Sequence, residues 1–458
     1  MSEQHPDIGE ISKLGQRYLD GQLRGSQLTG SFALSRADDI PTVESMGAER
    51  LEALRRIGLE QLPGRVAFGV LAAGASSRMA LSDLPDACRE MLEEAGQTDL
   101  PTSKALVPVY SDSRTGPLNF LDLFLRNIHQ FRARHAIDNP ALLLSSEANG
   151  DEIDLHLRKV DAQQVLTFRQ PLAPQIAATV NDIQRASKNF ASDDTLDLAA
   201  RRSACWAGRE VLIGKPAGHG EFLHQLVESG TLSELSRRGI EFLTVRNIDN
   251  AAALLDDTWL SLLGYAVEQQ LDCLLEVCPR LEGQKGGALI RQREQWRIAE
   301  DPSFHSTPHS ATESCYINNA VALFRLDYFY KLYETAPAEL QSASPQRLAE
   351  IADQGRRKFP VIVEAKPVVL RDGSVVGAVT PETNLWESTG VVSDVRIGAV
   401  GVPSEQSVGA DFLDQPAETR SIAAQRVRFS PTKTWDDYND AVKRAILVGI
   451  VDKLLNAD

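Results

Sequence analysis

Val66-Ala-Phe-Gly-Val-Leu71, followed at once by Ala72-Ala-Gly-Ala-Ser-Ser-Arg-Met79, is the stretch on which the fold turns. An apolar run with no polar alternation fits a strand covered on both faces, as in a parallel sheet. The small residues after it let a backbone approach a ligand closely. Gly74 permits a tight turn, main-chain N–H groups there can hold phosphate or base, and Arg78 adds a planar cation. A plain strand-to-helix connection would look the same, so the flanking chain must decide.

Towards the N-terminus, Pro41 to Leu62 reads as a helix. Thr42 is its N-cap, Leu51, Leu54, Ile57 and Leu59 recur at near-helical spacing, and Pro63-Gly64 ends it. Residues 1 to about 40 are polar and mixed, which predicts loose helices at most. Towards the C-terminus, Asn119 to Arg134 is a helix with Phe120, Leu121, Phe124, Ile128 and Phe131 inward. Ala141 to Leu144 and Val165 to Phe168 are strands, with a helical stretch from Glu152 between them. Glu221 to Glu228 is a helix and Phe242 to Val245 a strand. Gly286 to Glu300 predicts an antiparallel excursion, and Val361 to Val363 one more buried strand. The chain from about Pro381 is richer in Gly, Val and Ser. It ends in a helix from Trp435 to Leu455, with Trp435, Tyr438, Val442, Ile446 and Ile450 on one stripe. Short apolar strands alternating with amphipathic helices define an α/β sheet.

Composition bounds the function. The 458 residues can bury a large core, and 43% hydrophobic with 24% charged is ordinary for a globular protein. A net charge of −15 argues against nonspecific nucleic-acid binding. It also means that an anionic substrate must be met by local cations, helix N-termini or metal. The five cysteines, Cys88, Cys205, Cys273, Cys278 and Cys315, form no C-x-x-C pair and read as reduced thiols. Met1-Ser-Glu-Gln-His lacks the basic and apolar regions of a secretory signal. No apolar run reaches the roughly 18 residues of a membrane helix. A cytoplasmic protein with no membrane partner is expected.

Ligands of open α/β sheets bind at the carboxyl ends of strands, where the unusual residues of this chain fall. Lys104 stands in Thr102-Ser-Lys-Ala-Leu-Val-Pro108, where a lone lysine is by default a solvated surface charge. Gln170 ends Thr167-Phe-Arg-Gln170. His219 lies between two glycines in Gly214-Lys-Pro-Ala-Gly-His-Gly220, a poor place for a core histidine. Val245-Arg-Asn-Ile-Asp-Asn250 ends a strand with two carboxamides around one carboxylate. Asn247 and Asp249 are two apart and share a side of an extended chain, with Ile248 turned to the core. A strand-end Asp facing phosphates points to a hard metal ion. The alternative is a turn capped by Asn and Asp.

In this order the pieces resemble the UTP–glucose-1-phosphate uridylyltransferases and their relatives, the UDP-sugar and UDP-N-acetylhexosamine pyrophosphorylases. The resemblance runs from about Val66 to Lys433. It is most specific in Pro216-Ala-Gly-His-Gly-Glu-Phe-Leu-His-Gln-Leu-Val-Glu-Ser-Gly230 and Arg246-Asn-Ile-Asp-Asn250, against the family's P-x-G-H-G, S-G and N-I-D-N. It implies that Leu71, Ala72, Ala73 and Gly74 line the nucleotide and that Lys104 meets phosphate, beside Arg78. Gln170 and Gly218 would read the base, and His219 and Asn247 would touch the sugar phosphate. Asp249 would hold Mg²⁺ at the α-phosphate. Phe359-Pro-Val-Ile-Val-Glu-Ala-Lys366 is similar to L-P-L-I-V-N-P-K, which puts Lys366 at the reacting phosphates. Ile317-Asn-Asn-Ala-Val-Ala322 is similar to the asparagine-rich sugar strand, with Asn318 and Asn319. Arg428-Phe-Ser-Pro-Thr-Lys433 is similar to R-F-x-P-V-K, with Lys433 reaching a phosphate.

The implied fold is α/β, a Rossmann-like nucleotidyltransferase (GT-A-like) mixed sheet flanked by helices. Residues 1–62 would form an N-terminal helical segment, 63–380 the catalytic domain, and 381–458 a short C-terminal region. The implied reaction joins UTP to a sugar 1-phosphate, glucose 1-phosphate first, in a monomer or small homo-oligomer. Four departures from the family pattern stand out. The loop at 72–79 is closer to the L-A-A-G-x-S-x-R-M of small cytidylyltransferases, which keeps cytosine as the rival base. Ala80 to about Thr102 is inserted before Lys104. Glu364-Ala365 replaces Asn-Pro before Lys366. Only Thr434 to Asp458 follow Lys433, so no long β-helix is expected. A UDP-N-acetylhexosamine pyrophosphorylase, a cytidylyltransferase for another sugar phosphate, and a non-catalytic nucleotide-sugar sensor are the alternatives.

Overall fold

The computed structural model describes residues 24–25, 28–74, 84–96, 101–162, 164–178, 211–282, 284, 286–304, 307–369 and 375–455. Its strands, in chain order, begin with β1 (Arg24–Gly25), β2 (Phe32–Leu34), β3 (Val66–Leu71), β4 (Pro108–Asp112), β5 (Gly116–Asn119) and β6 (Ala141–Ser146). Next come β7 (Val165–Gln170), β8 (Leu172–Ala178), β9 (Val211–Pro216), β10 (Phe242–Asn247), β11 (Cys273–Pro279) and β12 (Ala288–Gln292). The last are β13 (Gln295–Ala299), β14 (Tyr316–Arg325), β15 (Pro360–Val369), β16 (Val375–Thr383) and β17 (Ile397–Gly401).

One ten-stranded sheet carries the molecule. Its main path runs β13-β12-β14-β10-β3-β6-β7, with β11 bridging β14 and β17, and β2 added on β12. β10, β3, β6 and β7 are parallel, and β14 is antiparallel to both β10 and β11. This is the expected mixed α/β sheet flanked by helices. A second, five-stranded sheet has the order β1-β15-β16-β8-β9.

The apolar run that decided the fold is buried throughout, as β3. Its side chains alternate between two cores. Val66, Phe68 and Val70 enter one, with Phe124, Phe131 and Trp259, whereas Ala67 and Leu71 enter the other, with Phe222, Val245, Phe324 and Trp386. Phe68, Phe131 and Trp259 meet edge to face at centroid distances of 5.5–5.8 Å, the geometry their quadrupoles favour. The helices Val43–Arg65 and Asp257–Glu268 cross here. A Cβ on Gly58 would lie 2.1 Å from the Leu260 carbonyl oxygen, and one on Gly264 1.9 Å from that of Leu54.

Helix ends follow the sequence closely. Thr42 and Ser45 form a capping box, while Pro63 and Gly64 leave helical dihedrals. Asn119 and Asp122 form another at the head of Phe120–His135, whose five expected inner residues are all buried.

Two expectations are corrected. The segment before residue 40 contains a strand. β2 pairs antiparallel with β12, and Phe32 packs edge-on against Phe304 at 5.9 Å. The free edge of a hairpin outweighs a weak helical pattern. The C-terminal helix is two helices, Trp435–Asn439 and Ala441–Leu455, broken at Asp440. Asp440 turns extended and its carboxylate accepts from the Lys443 backbone N–H at 2.9 Å, starting a new helix. The stripe survives the break: Trp435, Tyr438, Ile446 and Ile450 are buried.

Candidate active site at the carboxyl edge of the parallel strands

The expected turn after β3 lies beside the end of β10. Asn247 pairs in register with Leu71, and the Ile248 N–H donates to the Leu71 carbonyl at 3.1 Å. Ile248 is buried and Asn247 half-buried, as the spacing predicted. Ala72 donates to Leu144 and accepts from the Asn149 amide, so its backbone belongs to the fold. Gly74 is exposed, with open space where a Cβ would stand. Arg78 lies outside the described residues.

Lys104 comes to this edge from the other side. Its Nζ lies 3.1 Å from Asp249 Oδ2, with the two side chains only 15% and 12% exposed. The Lys104 N–H also reaches the Gly74 carbonyl at 3.4 Å. Lys104 is thus no free surface lysine. Asp249 Oδ1 is buried and has no hydrogen-bond partner among the described residues. A buried carboxylate oxygen left without a donor is costly, so this atom is placed to meet a donor or a cation outside the described residues.

The 428–433 segment roofs the same turn. Thr432 N–H donates to the Asp249 carbonyl at 3.1 Å. The Asn250 carboxamide donates to the Arg428 carbonyl at 3.0 Å and accepts from Ser430 N–H at 3.2 Å. Arg428 is buried in a fork to Glu276, 2.8 Å on both arms, and also meets Asp256 at 3.3 Å. Arg246 braces the turn from beneath, bonding the Ala253 carbonyl at 2.7 Å over the Phe124 ring. Burial, with the nearby Arg428 charge, pulls its guanidinium down to about 9. Lys433 itself is exposed.

Gln170 closes β7, 2% exposed, with Oε1 unpartnered among the described residues. The glycine loop lies against it, since Ala217 N–H donates to the Pro171 carbonyl at 3.2 Å. Gly218 has φ +104°, and a Cβ there would sit 2.2 Å from the Thr383 carbonyl oxygen. Only glycine fits, so the fold demands Gly218 whatever it binds. His219 Nδ1 accepts from Leu385 N–H at 3.0 Å, which puts the proton of the neutral ring on Nε2.

Asn318 and Asn319 stand at a bulge in β14. The register to β11 slips there, and Ala320 has φ +60°. Each asparagine oxygen accepts from the N–H two residues on, at 3.0 and 3.2 Å. The Asn319 amide nitrogen is buried without a partner among the described residues. Lys366 is in β15, backbone paired with Ala378 in the five-stranded sheet.

The structure therefore joins Gly74, Lys104, Asn247, Asp249 and the Lys433 segment at one edge, and Gln170, Gly218 and His219 beside it. It also shows a residue missed in the sequence. Glu300, just after β13, accepts from Asn384 Nδ2 at 3.0 Å, one residue before Leu385, which holds His219. Glu387 lies behind it, fully buried, bonded to Arg297 at 3.0 Å, Glu300 N–H and Ser303. Burial first, then the Glu387 charge, pushes the Glu300 carboxyl up to about 7. A glutamate ending a strand reads as surface, and no sequence signal marks it.

Among the described residues no three His, Cys, Asp or Glu converge to hold a metal by themselves, and no helix is long and apolar enough to cross a membrane. A Mg²⁺ site needs fewer protein ligands, because one or two carboxylates with phosphate oxygens and waters complete it. Asp249, with its unpaired Oδ1, fits that donor set.

Fold and edge together define an α/β protein whose candidate site sets a lysine–carboxylate pair and backbone groups at the carboxyl ends of parallel strands. The comparisons with known proteins are specific. The family described as UTP–glucose-1-phosphate uridylyltransferase matches residues 99–324, which include Lys104, Gln170, His219, Asp249 and Asn319. A Schizosaccharomyces pombe protein named "Probable UTP–glucose-1-phosphate uridylyltransferase" is 26% identical over 301 residues, 64% of this chain and 53% of that one. The Encephalitozoon cuniculi UTP–glucose-1-phosphate uridylyltransferase is 31% identical over 183 residues, 40% of this chain and 32% of that one. The chain thus spans about half or less of the length of these curated relatives. Among solved structures, a Trypanosoma brucei UDP-glucose phosphorylase aligns with TM-score 0.58 and 20% identity, over 95% of this chain and 74% of that one. A Trypanosoma brucei UDP-N-acetylglucosamine pyrophosphorylase aligns with TM-score 0.52 and 14% identity, over 97% and 75%. These two share the fold. The likeness to the uridylyltransferase family expected from the sequence is thereby shown.

Proposed function

We propose that this chain transfers a uridylyl group from UTP to a sugar 1-phosphate, glucose 1-phosphate first, giving a UDP-sugar and pyrophosphate. One oxygen of the sugar phosphate forms a bond to the α-phosphorus in line, and the bond from that phosphorus to the oxygen bridging to the β-phosphate breaks. The attacking oxygen is already anionic, so no general base and no protein nucleophile is needed, and catalysis is positioning plus charge neutralisation. The observation that carries the reading is the Lys104–Asp249 pair at 3.1 Å with Asp249 Oδ1 unpaired. Asp249 would hold Mg²⁺, which supplies positive charge at the α-phosphate when bound. Lys104, with Lys366 by family resemblance and Arg78 by its place in the sequence after β3, would neutralise the phosphates. Gln170 offers an amide to the mixed donor–acceptor edge of uracil, with Gly218 beside it. His219, Asn247, Asn318, Asn319 and Lys433 would receive the sugar phosphate. Free thiols at Cys88, Cys273, Cys278 and Cys315 support a reducing, cytoplasmic setting, and we take the protein as a monomer or small homo-oligomer.

A panel of nucleoside triphosphates against sugar 1-phosphates, scored by pyrophosphate release, tests this. UTP with glucose 1-phosphate should be turned over best, and chelation of Mg²⁺ should stop it. A tenfold or greater preference for CTP would overturn the base. No release with any pair would overturn the reaction.

A further inference from the structure

We infer that Asn149 is a positioning residue that holds the nucleotide turn and the Lys104 turn in register, through one buried carboxamide. The inference rests on the reading of Lys104 just given. Asn149 occupies the N-cap position of the helix Gly150–Lys159 but makes no capping bond to it. An asparagine at that position normally accepts from the N–H of N2 or N3. Here the side chain is turned away from its own helix.

All its bonds go to the site-forming segments instead. Asn149 Oδ1 accepts from the Ser146 N–H and hydroxyl, both at 2.9 Å, at the carboxyl end of β6. Asn149 Nδ2 donates to the Ala72 carbonyl and to Ser103 Oγ, both at 3.1 Å. Ala72 opens the turn that follows β3, and Ser103 immediately precedes Lys104. Asn149, Ser103, Ser146 and Ala72 are at most 2% exposed, so water does not compete for these bonds.

A second hold comes from the same helix. One oxygen of Glu152 accepts from the Thr102 N–H at 3.2 Å, the Thr102 hydroxyl at 2.5 Å and the Ser103 N–H at 3.3 Å. Ser103 Oγ in turn accepts from Ala105 N–H at 3.2 Å, fixing the short turn that carries Lys104. The two holds differ in kind. Glu152 fastens the Lys104 turn to the helix alone, whereas Asn149 ties it to Ala72. Asn149 therefore sets the distance between two parts of the site that are about thirty residues apart in sequence, and its side chain is buried and bonds to protein groups from both.

The test uses the full chain. Asn149→Ala and Asn149→Asp both lose the Nδ2 donors, and the aspartate keeps the acceptor to Ser146. Both should lower kcat for UDP-glucose formation by about 10²-fold, the scale of a misplacement near 1 Å, with thermal melting showing a folded protein. In a Lys104→Ala background the same Asn149→Ala change should cost less than threefold, because the residue it positions is already gone. An undiminished further loss in that background, or near wild-type kcat in Asn149→Ala, overturns the proposal. If Asn149→Ala does not fold, Ser103→Ala removes the Asn149 link on the Lys104 side, together with the Ala105 N–H bond within that turn, and the same non-additivity with Lys104→Ala is required. Amide hydrogen exchange keeps the test separate from the proposed reaction. In a protein that releases no pyrophosphate at all, Asn149→Ala should still speed exchange in both 72–74 and 103–106. Unchanged exchange in either segment sinks the clamp itself.

Discussion

Two corners of the site each bury carboxylates, and they solve the problem in opposite ways. At the parallel edge, Asp249 faces Lys104 at 3.1 Å, and one positive charge meets one negative. At the antiparallel edge, Glu300 and Glu387 crowd together beside Arg297, and Glu300 holds its proton up to about pH 7. The first corner sets its carboxylate against a lysine and leaves one oxygen of Asp249 without a partner among the described residues. The second gives up a charge by protonation. A carboxylate that holds a cation must be ionised, so under the proposed reaction the Mg²⁺ would fall to the first corner rather than the second.

The largest effect comes from breaking the first corner. Asp249→Asn keeps an amide oxygen for the Lys104 ammonium, so it should fold with a smaller loss than truncating either partner, and yet lower Mg²⁺-dependent turnover by about 10²–10³-fold. Lys104→Ala should be as inactive but less stable, because it leaves Asp249 buried without its partner. Removing one member of a buried pair costs about 3–5 kcal/mol, an upper limit here because the side chains keep some exposure. Combining Lys104→Met with Asp249→Asn should recover the melting temperature and not the activity. If Asp249→Asn turns over normally at the same Mg²⁺ concentration, the metal sits elsewhere. If it fails to fold, the carboxylate was capping the turn.

The two corners also differ in how far the sequence reveals them. The parallel edge is compact in sequence. Val66 to Gly74 and Asn247 to Asn250 each combine a strand end with small or polar residues and are legible from periodicity and residue type, whereas Lys104, in the short turn Lys104–Leu106, is marked only by the family resemblance. The antiparallel edge is assembled from Glu300, Asn384, Glu387 and Arg297, each ordinary where it stands and meaningful only once β12, β13 and the chain after β16 meet. The Arg428–Glu276 fork spans 152 positions and has no local pattern at all. β11 and β17 were missed for a related reason, since short apolar stretches without turn signals do not reveal their pairing. Asn149 was hidden differently, because an asparagine before a helix reads as a cap and here does not cap. Gly218 was read for base contact, yet the Thr383 backbone alone demands a glycine there.

That demand gives the next test. Gly218→Ala puts a Cβ 2.2 Å from a carbonyl oxygen at φ +104°. It should destabilise by roughly 2–3 kcal/mol, the scale of a side chain forced into left-handed backbone, and push the His219 loop off Thr383. Urea denaturation of the variant measures this. If Gly218→Ala keeps wild-type stability, the loop is looser than its packing on Thr383 implies, and base contact regains its place as the reason for glycine.

The smallest effect sharpens the second corner. In the folded protein burial and Glu387 raise the Glu300 carboxyl from 4.5 to about 7, against Asn384 and Lys433, which favour ionisation, while Asp301 adds to the rise. The unfolded chain loses that proton near pH 4.5 and the folded chain near pH 7, so the folded state binds more protons in between. Stability contributed by the neutral form is fully present below about 4.5 and declines as pH rises to about 7. Above that the whole cost is felt, at most about 3 kcal/mol by the conversion of 1.36 kcal/mol per unit, and less once lost hydrogen bonding is counted. Glu300→Gln removes the titration and keeps an oxygen for Asn384. The variant should therefore be more stable than wild type at pH 8, by roughly 1–2 kcal/mol, and should match it at pH 4.5. Chemical denaturation at the two pH values reads the difference directly. If the gap is the same at both, Glu300 ionises normally, and the second corner is a charged site like the first.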